Sequence, residues 1–542
     1  VSALPRAQLE DMVPIGRLSA SRRTLVVEPR EPMGDGTVDI YFDGRRVWSV
    51  RPDDPNKAGQ VHFRWPNALS PYLQGVAEVT VTSSATGDVF AESRVRIGRS
   101  TKPIEIRDAQ GRWLAMNKWN RLGPSFEGND DGVQERLLVS AQRLVADLQE
   151  LEYPVFIVGG TLLGAMRTGN LLPHDDDIDL AWICRETNPL DIALASMKME
   201  RQLVDRGYTS IRLSMAHLQI TFFNSDDGTD HYVDIFTGFF MDGLYGQPFA
   251  LRGELAPDDL EPIGTITLSG VEFPAPAKPE AWLEFAYGPS WLVPDPSFSF
   301  ETPRSTLRRF ETWFGVFNRG RVFWEKHFEK LLDRPDSDEG FDDVERFLRL
   351  IPPEARVVDL GSSDGRLTER IAAACHTVLG VDYSYEALRL ARRSKPDNVD
   401  YRYLNLNDSH ATLGFTLEIV ESGQPWHFFA NQLLAGLPKV GRANVFLMLR
   451  HALASGGVAY ASFDTDFGKH YRKGRPDSWH LPLDWLYEEA SPFGLDLQLV
   501  NTGHRSSPLG RRQTASVVIR RMSPQHEERA IESQFENEET TS

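Results

Sequence analysis

Cysteine is nearly missing from this chain: 542 residues carry two, Cys184 and Cys375. They fall in stretches that read as different domains. That excludes a disulfide framework or a cysteine zinc site, and it fits a reducing, cytoplasmic setting. Long apolar runs are missing as well. No window approaches the roughly 18 consecutive apolar residues that a membrane-spanning helix needs, and the first residues lack the basic-then-apolar layout of a secretory leader. A soluble chain with no transmembrane segment is expected. Positive charge is in deficit: 59 Lys and Arg against 77 Asp and Glu leave a formal net charge of −18. Such a balance argues against a nucleic-acid partner and against docking through a general positive surface onto anionic lipid. A local basic group, such as Arg304, Arg308, Arg309, Arg319 and Arg321, could still do either, and leaves room for peripheral attachment to the inner face of a membrane.

What is present reads as ordinary globular protein, 41% hydrophobic and 25% charged. One core cannot hold a chain of this length, and about three or four domains are expected. Pattern divides it as a multidomain α/β protein. Residues 1–103 read as a small β-sandwich. Segments 24–28, 37–42, 46–50, 61–65, 77–82 and 94–97 alternate or are β-branched, with turns such as Asp43-Gly44 and Thr86-Gly87 between them. Trp48, Trp65 and Tyr72 there read as core first and as a saccharide-docking face second. Residues 104–300 read as an α+β domain. Residues 301–342 read as a helical connector broken near Asn318-Arg319-Gly320, so aromatic that it must bury itself, and it is expected to do so between domains. Residues 343–522 read as a Rossmann-like α/β domain. The Glu-rich stretch 523–542 has too few apolar residues to fold and reads as a disordered tail.

One stretch of the second domain carries chemistry. A helical stripe (Leu137, Ala141, Leu144, Leu148 and Leu151, with Asn129 or Asp130 as its cap) leads into a buried strand, Val155 to Val158. That strand stops at Gly159-Gly160 and turns into a short helix. A polar loop follows, then a second strand with Asp177 and Asp179 two residues apart. Side chains in a strand alternate with period two, so both carboxylates share a face while Ile178 and Leu180 point into a core. Two parallel carboxylates repel unless a cation lies between them, and oxygen-only ligands suit Mg²⁺ or Mn²⁺. Tyr232-Val233-Asp234-Ile235-Phe236 supplies a third acid. Asp226-Asp227 and Asp258-Asp259 read as solvated turns. His217 and His231 read as ordinary polar residues, with His231 the nearer to Asp234 in sequence.

The run 159–167 (Gly-Gly-Thr-Leu-Leu-Gly-Ala-Met-Arg) followed by 173–179 (Pro-His-Asp-Asp-Asp-Ile-Asp) resembles the signature of the LicD/fukutin-like family. Val233-Asp234-Ile235-Phe236 resembles its third-acid strand, and Tyr287-Gly288 with Trp291 and Pro294 resembles its closing motif. The resemblance spans about 110 to 300. It implies a nucleotidyltransferase fold and transfer of a phospho-alcohol from a CDP-linked donor to a sugar. It makes Asp177, Asp179 and Asp234 the metal ligands and catalytic acids. Gly159 and Gly160 would then turn backbone amides toward the donor phosphates, with Arg167 as a phosphate partner. His174 stands where the family usually has Trp, a departure that touches substrate packing and leaves the metal ligands in place.

A second unit of chemistry begins at Arg356-Val-Val-Asp-Leu-Gly361. A buried strand runs into the turn Gly361-Ser362-Ser363-Asp364-Gly365 and the helix 366–374; another strand, 377–381, ends at Asp382. Glycine at such a turn lets backbone approach a ligand, and an acid at the next strand tip can accept both hydroxyls of a ribose. The pattern over about 343–522 resembles class I S-adenosylmethionine-dependent methyltransferases. That resemblance implies cofactor contacts from Asp359, Gly361, Ser363, Gly365, Asp382 and Asn405. It departs at Ser363, where the family has the middle glycine and where serine is tolerable at negative φ, and at Asn405, where an acid is usual. A nicotinamide reading fits less well, since the turn is not spaced Gly-x-Gly-x-x-Gly. His427, His451, His470 and His480 are candidate bases for methyl transfer.

Together these readings imply a bifunctional enzyme of surface-glycan or polysaccharide biosynthesis, soluble or peripheral to a glycan-assembly complex. It would use a metal and a CDP-linked donor in one half and S-adenosyl-L-methionine in the other, on a glycan or lipid-linked glycan acceptor. Two rivals remain open: a chain in which only methyl transfer is active and the acidic strand binds glycan or phosphate, and a non-catalytic scaffold.

Overall fold

The computed structural model describes residues 16–34, 36–84, 86–107, 111, 113–116, 122–124, 132–172, 177–225, 228–248, 250–293, 298, 302–331, 337–507 and 510–522. These fall into two compact units. One runs to Ile211 and adds Met215–Phe222 and Asp230–Gly315; the other takes Arg212–Ser214, Phe223–Thr229 and the chain from Val316 on.

The first unit opens with β1 (Arg17–Ala20), β2 (Thr24–Glu28), β3 (Val38–Phe42), β4 (Arg45–Val50), β5 (Val61–Arg64), β6 (Gly75–Ser83) and β7 (Val89–Ile97). They form a three-stranded sheet, β1-β2-β5, and a four-stranded one, β4-β3-β6-β7. Alternation decides which residues go inside: Val38, Ile40 and Phe42 of β3 are buried with Leu25, Val27, Val79 and Val81 in one core. The β3–β4 hairpin turns on Asp43 and Gly44 at φ 49° and 77°, the paired left-handed residues that match strand twist. Trp48 and Trp65 lie 5.9 Å apart in that core, and Trp65 donates Nε1 to the Ser21 carbonyl. They are packing residues. A short ribbon, β8 (Leu114–Met116) and β9 (Leu122–Pro124), follows.

Next comes α1 (Val133–Glu150), which buries Leu137, Ala141, Leu144 and Leu148. Gly132, left-handed at φ 69°, is its N-cap, with no side-chain cap; Asn129 and Asp130 lie outside the described residues. The chain continues through β10 (Val155–Ile157), α2 (Gly159–Thr168), β11 (Asp177–Cys184), α3 (Pro189–Asp205), β12 (Thr209–Ser214), β13 (His217–Phe223), β14 (Thr229–Met241), β15 (Leu244–Gln247) and β16 (Leu251–Gly253). The sheet order is β10-β11-β14-β13-β12, with β15 on β14 and β16 on β15. β10 runs antiparallel to β11, and β11 runs parallel to β14. A small helix α4 (Pro257–Leu260), the hairpin β17 (Gly264–Leu268) and β18 (Val271–Ala275), and α5 (Pro279–Tyr287) complete the layer. Asp259 takes the Ala256 amide and Lys278 Nζ there, while Asp226 and Asp227 lie outside the described residues.

The connector contains α6 (Arg304–Phe314) and α7 (Arg321–Glu329), and α8 (Phe341–Leu348) begins at its end. Phe310 and Phe314 of α6 join the core of the first unit, whereas Phe328 of α7 packs on Ala387 and Leu390 of the second. The break at 315–320 falls between the two helices, α6 going with one apolar cluster and α7 with the other.

From α8 the second unit runs β19 (Arg356–Leu360), α9 (Arg366–Ala372), β20 (Thr377–Asp382), α10 (Tyr385–Arg392), β21 (Val399–Tyr403), α11 (Ser409–Glu421), β22 (Trp426–Asn431), α12 (Lys439–Ala452), β23 (Ala459–Asp464), α13 (Leu483–Ala490), β24 (Leu495–Ser507) and β25 (Gly510–Arg521). Its sheet order is β21-β20-β19-β22-β23-β25-β24. Strands β19 to β23 are mutually parallel; β25 is antiparallel to β23 and to β24. The order reverses between β19 and β22, the switch point at which open α/β sheets take ligands. The antiparallel β25 beside β23 departs from the dinucleotide-binding order 3-2-1-4-5-6. Among the described residues no helix is long and apolar enough to cross a membrane.

Candidate active site

Register builds the acidic site. In the parallel pair β11–β14, Asp179 lies opposite Asp234 and Asp177 opposite Tyr232. Asp177 and Asp179 share a face, so three carboxylates meet with their ligand oxygens within 4.8 Å of one another. Asp179 and Asp234 are buried at 6% and 5% exposure, and Asp177 is half-buried. Burying three like charges together is unfavourable by several kcal/mol per ion unless countercharge is present. The all-oxygen donor set fits a divalent cation of the Mg²⁺ or Mn²⁺ kind.

The turn before α2 is shaped around Asp179. Gly159 is left-handed at φ 60°, and a Cβ there would lie 2.0 Å from Asp179 Oδ2. The Gly160 amide donates to Asp179 Oδ2 at 3.2 Å, Val158 donates to the Asp179 carbonyl at 3.0 Å, and Thr161 Oγ1 accepts the Asp179 amide at 2.9 Å. The glycine pair therefore grips a metal-ligand candidate. Arg167 is engaged elsewhere: Nε and Nη2 donate to the Trp291 carbonyl and Nη2 to that of Val293 at 3.0 Å. It ties the first motif to Trp291 of the closing one. His174 and Pro294 lie outside the described residues.

Two neighbours of Asp234 were missed. Gln219 Nε2 donates to Asp234 Oδ1 at 3.2 Å, and His217 Nε2 stands 3.4 Å from Oδ2 with its ring 4.3 Å from Phe236. His231, nearer in sequence, faces away: it bonds Asp230 at 2.8 Å and Ser140 at 2.9 Å and stacks on Phe222. Burial holds the His231 imidazole below its usual range despite Asp230. The available signal was the i, i+2 pair His217 and Gln219 on β13, which needs the strand order before it points anywhere.

At the switch point of the second unit the turn after β19 holds Gly361 at φ 73° and Gly365 at φ 83°. A Cβ on Gly365 would meet Tyr401 Oη at 2.4 Å. Ser363 is also left-handed, at φ 56°, where a negative φ was expected. The turn keeps the conformation of a glycine and serine bears it, at a cost of about 1–2 kcal/mol. The Ser363 amide donates at 3.0 Å to Asp382 Oδ2, and Ser384 donates to Oδ1 at 2.9 Å. Burial pushes the Asp382 carboxyl up to about 6 against those amides, and burial pushes Asp359, bonded to Thr368 Oγ1 at 2.6 Å, up to about 7. Ser362 Oγ is buried with no hydrogen-bond partner. Asn405 Nδ2 donates to the Phe317 carbonyl at 2.8 Å. An acid and two left-handed glycines around an unpartnered hydroxyl fit the ribose and carboxypropyl ends of a nucleoside cofactor. Of the candidate bases, His427 lies inside β22, its Nδ1 accepting the Val458 amide, and His451 is exposed on α12.

Three acids on adjoining parallel strands, beside a helix opened by glycine, form a cluster that could hold a divalent cation. Residues 152–278 match the family model described as LicD/FKTN/FKRP, nucleotidyltransferase domain. Solved structures with likeness to the chain include a SAM-dependent methyltransferase from Anabaena variabilis, at 18% identity over 37% of this chain and 93% of that one, TM-score 0.30. Another is a DhpI–SAH complex, at 19% identity over 38% and 97%, TM-score 0.27. A third is phosphoethanolamine N-methyltransferase 2 of Haemonchus contortus with S-adenosyl-L-methionine, at 12% identity over 43% and 62%, TM-score 0.28. No curated protein matches the chain.

Proposed function

We propose that the chain is a bifunctional glycan-modifying transferase. Its LicD-type half moves a phosphorylated group from a nucleotide-activated, CDP-linked donor to a sugar hydroxyl, and its C-terminal half methylates the same glycan or the added group. The observation that carries the first activity is the convergence of Asp177, Asp179 and Asp234 within 4.8 Å. A divalent ion held by them would neutralise the donor diphosphate. Asp179 is held by the 158–161 turn, Asp234 accepts from Gln219, and Asp177 is the most open of the three. Asp177 would take the proton from the attacking hydroxyl as phosphorus changes partner and the nucleoside monophosphate leaves.

The second activity is supported by the switch-point crevice. S-adenosyl-L-methionine would supply an electrophilic methyl group there. Asp382 would accept the ribose hydroxyls, the glycine turn would admit the carboxypropyl chain, and in-line placement would do most of the rest. Mass spectrometry of a candidate glycan incubated with pooled CDP-alcohols and S-adenosylmethionine reads both mass increments. Asp179→Ala is expected to abolish the phospho-alcohol increment and leave the methyl increment. Retention of both by a folded Asp179→Ala protein would refute the phosphotransfer assignment.

A further inference from the structure

The loop after β23 joins two features that the proposed reactions leave unused. Phe467, Tyr471 and Trp485 are exposed at 64%, 42% and 50%, and exposed apolar surface rimmed by polar residues marks interaction sites. They surround one imidazole: His480 lies 5.8 Å from Phe467, 5.1 Å from Tyr471 and 5.9 Å from Trp485, with its Nδ1 buried and unpartnered. The rings are set at angles of 38° to 79° to the imidazole, so they form walls rather than one flat face. Lys469, Arg472 and Lys473 stand exposed in the same loop, and among the described residues none has an ion pair. Three unpaired cations so close together stand out in a chain of net charge −18.

Position narrows the occupant. The loop leaves Asp464, the last residue of β23, at the carboxyl edge of the parallel strands, where Gly361–Gly365 also lies. Pro476 and the Tyr383 hydroxyl both approach Gly320, at 3.2 and 3.3 Å from where its Cβ would be. Tyr383 follows Asp382, so the loop and the tip of β20 meet at one glycine. Walls of aromatic ring offer faces to the C–H surfaces of sugars, and free Lys and Arg offer charge to phosphate. A bilayer would suit aligned rings and would be repelled by the net charge.

We infer that the surface of Phe467, Lys469, Tyr471, Arg472, Lys473 and Trp485 binds a phosphate-bearing saccharide and presents it to the methyl donor. This rests on the methyltransferase reading and names its acceptor class. The full-length chain is titrated with phosphomannan, with the same polysaccharide after dephosphorylation, and with vesicles containing phosphatidylglycerol; S-adenosylhomocysteine binding is measured in parallel. Phosphomannan is expected to bind about tenfold tighter than its dephosphorylated form. The triple variant Lys469→Glu, Arg472→Glu, Lys473→Glu is expected to erase that difference. Trp485→Ala is expected to weaken both saccharides while S-adenosylhomocysteine binding stays unchanged. Binding to vesicles but not to saccharide overturns the inference, as does phosphomannan binding that the triple variant leaves intact. Phosphomannan bound by a chain that takes up no S-adenosylhomocysteine supports the surface and overturns methyl transfer; the converse overturns the surface alone.

Discussion

Gly159 shows how one residue can govern a site without touching substrate. Its left-handed φ and the 2.0 Å approach of Asp179 Oδ2 leave no room for a side chain. Gly159→Ala must therefore push Asp179 away or unwind the start of α2. Strain of about 1–3 kcal/mol is expected, together with at least about a tenfold loss of Mn²⁺ affinity by calorimetry. Unchanged Mn²⁺ binding would place the ion elsewhere. Asp359 makes a pH-dependent statement. Burial raises its carboxyl to about 7, against about 3.9 in an unfolded chain. The proton is thus held more tightly in the folded state. The associated stability is full below about pH 4 and is lost as pH rises through about 7, to the extent of a few kcal/mol. Asp359→Asn can still accept the Thr368 hydroxyl. Its thermal midpoint is expected to exceed that of the wild type at about pH 8 and to match it near pH 4, and a midpoint gap independent of pH would contradict a neutral buried acid.

At the scale of elements, α7 and α10 are joined by one carboxylate. Glu325 Oε1 accepts the Tyr385 amide at 3.1 Å and Arg321 Nη2 at 2.7 Å, while Oε2 accepts the Glu386 amide at 3.1 Å and Ser384 Oγ at 2.7 Å. The first amides of a helix have no partner within it, so Glu325 supplies from a distant helix what a local cap alone would leave incomplete. Glu325→Ala should cost about 1–3 kcal/mol and speed hydrogen exchange at Tyr385 and Glu386; exchange as slow as in the wild type would show that Ser384 caps α10 unaided. Sequence could not reveal this pair, because 59 residues separate Glu325 from Ser384. What it did reveal follows from short-range periodicity: Asp177 and Asp179 on one face, the stripe of α1, the glycine turn at 361–365. What escaped it needed strand order. His217 reaches Asp234 only because β13 lies beside β14, and the Ser363 amide donates to Asp382 on the next strand. The partners of Arg167 escaped it for the same reason; nothing local announces the carbonyls of Trp291 and Val293.

For the whole molecule the two units decide how ligands act. The acidic site belongs to one unit and the glycine turn with Asp382 to the other, and each unit has its own apolar cluster. A chain of this kind need not unfold in one step. A ligand that binds only the folded form stabilises its own unit by RT ln(1 + [L]/Kd), about 2.7 kcal/mol at a hundredfold excess over Kd. Scanning calorimetry should therefore resolve two transitions that respond separately. Mn²⁺ is expected to raise one, S-adenosylhomocysteine the other. Asp179→Ala should remove the Mn²⁺ shift and keep the second, while Asp382→Ala should do the reverse. If either variant abolishes both shifts, or one ligand raises both transitions equally in the wild type, the two chemistries do not reside in independent units.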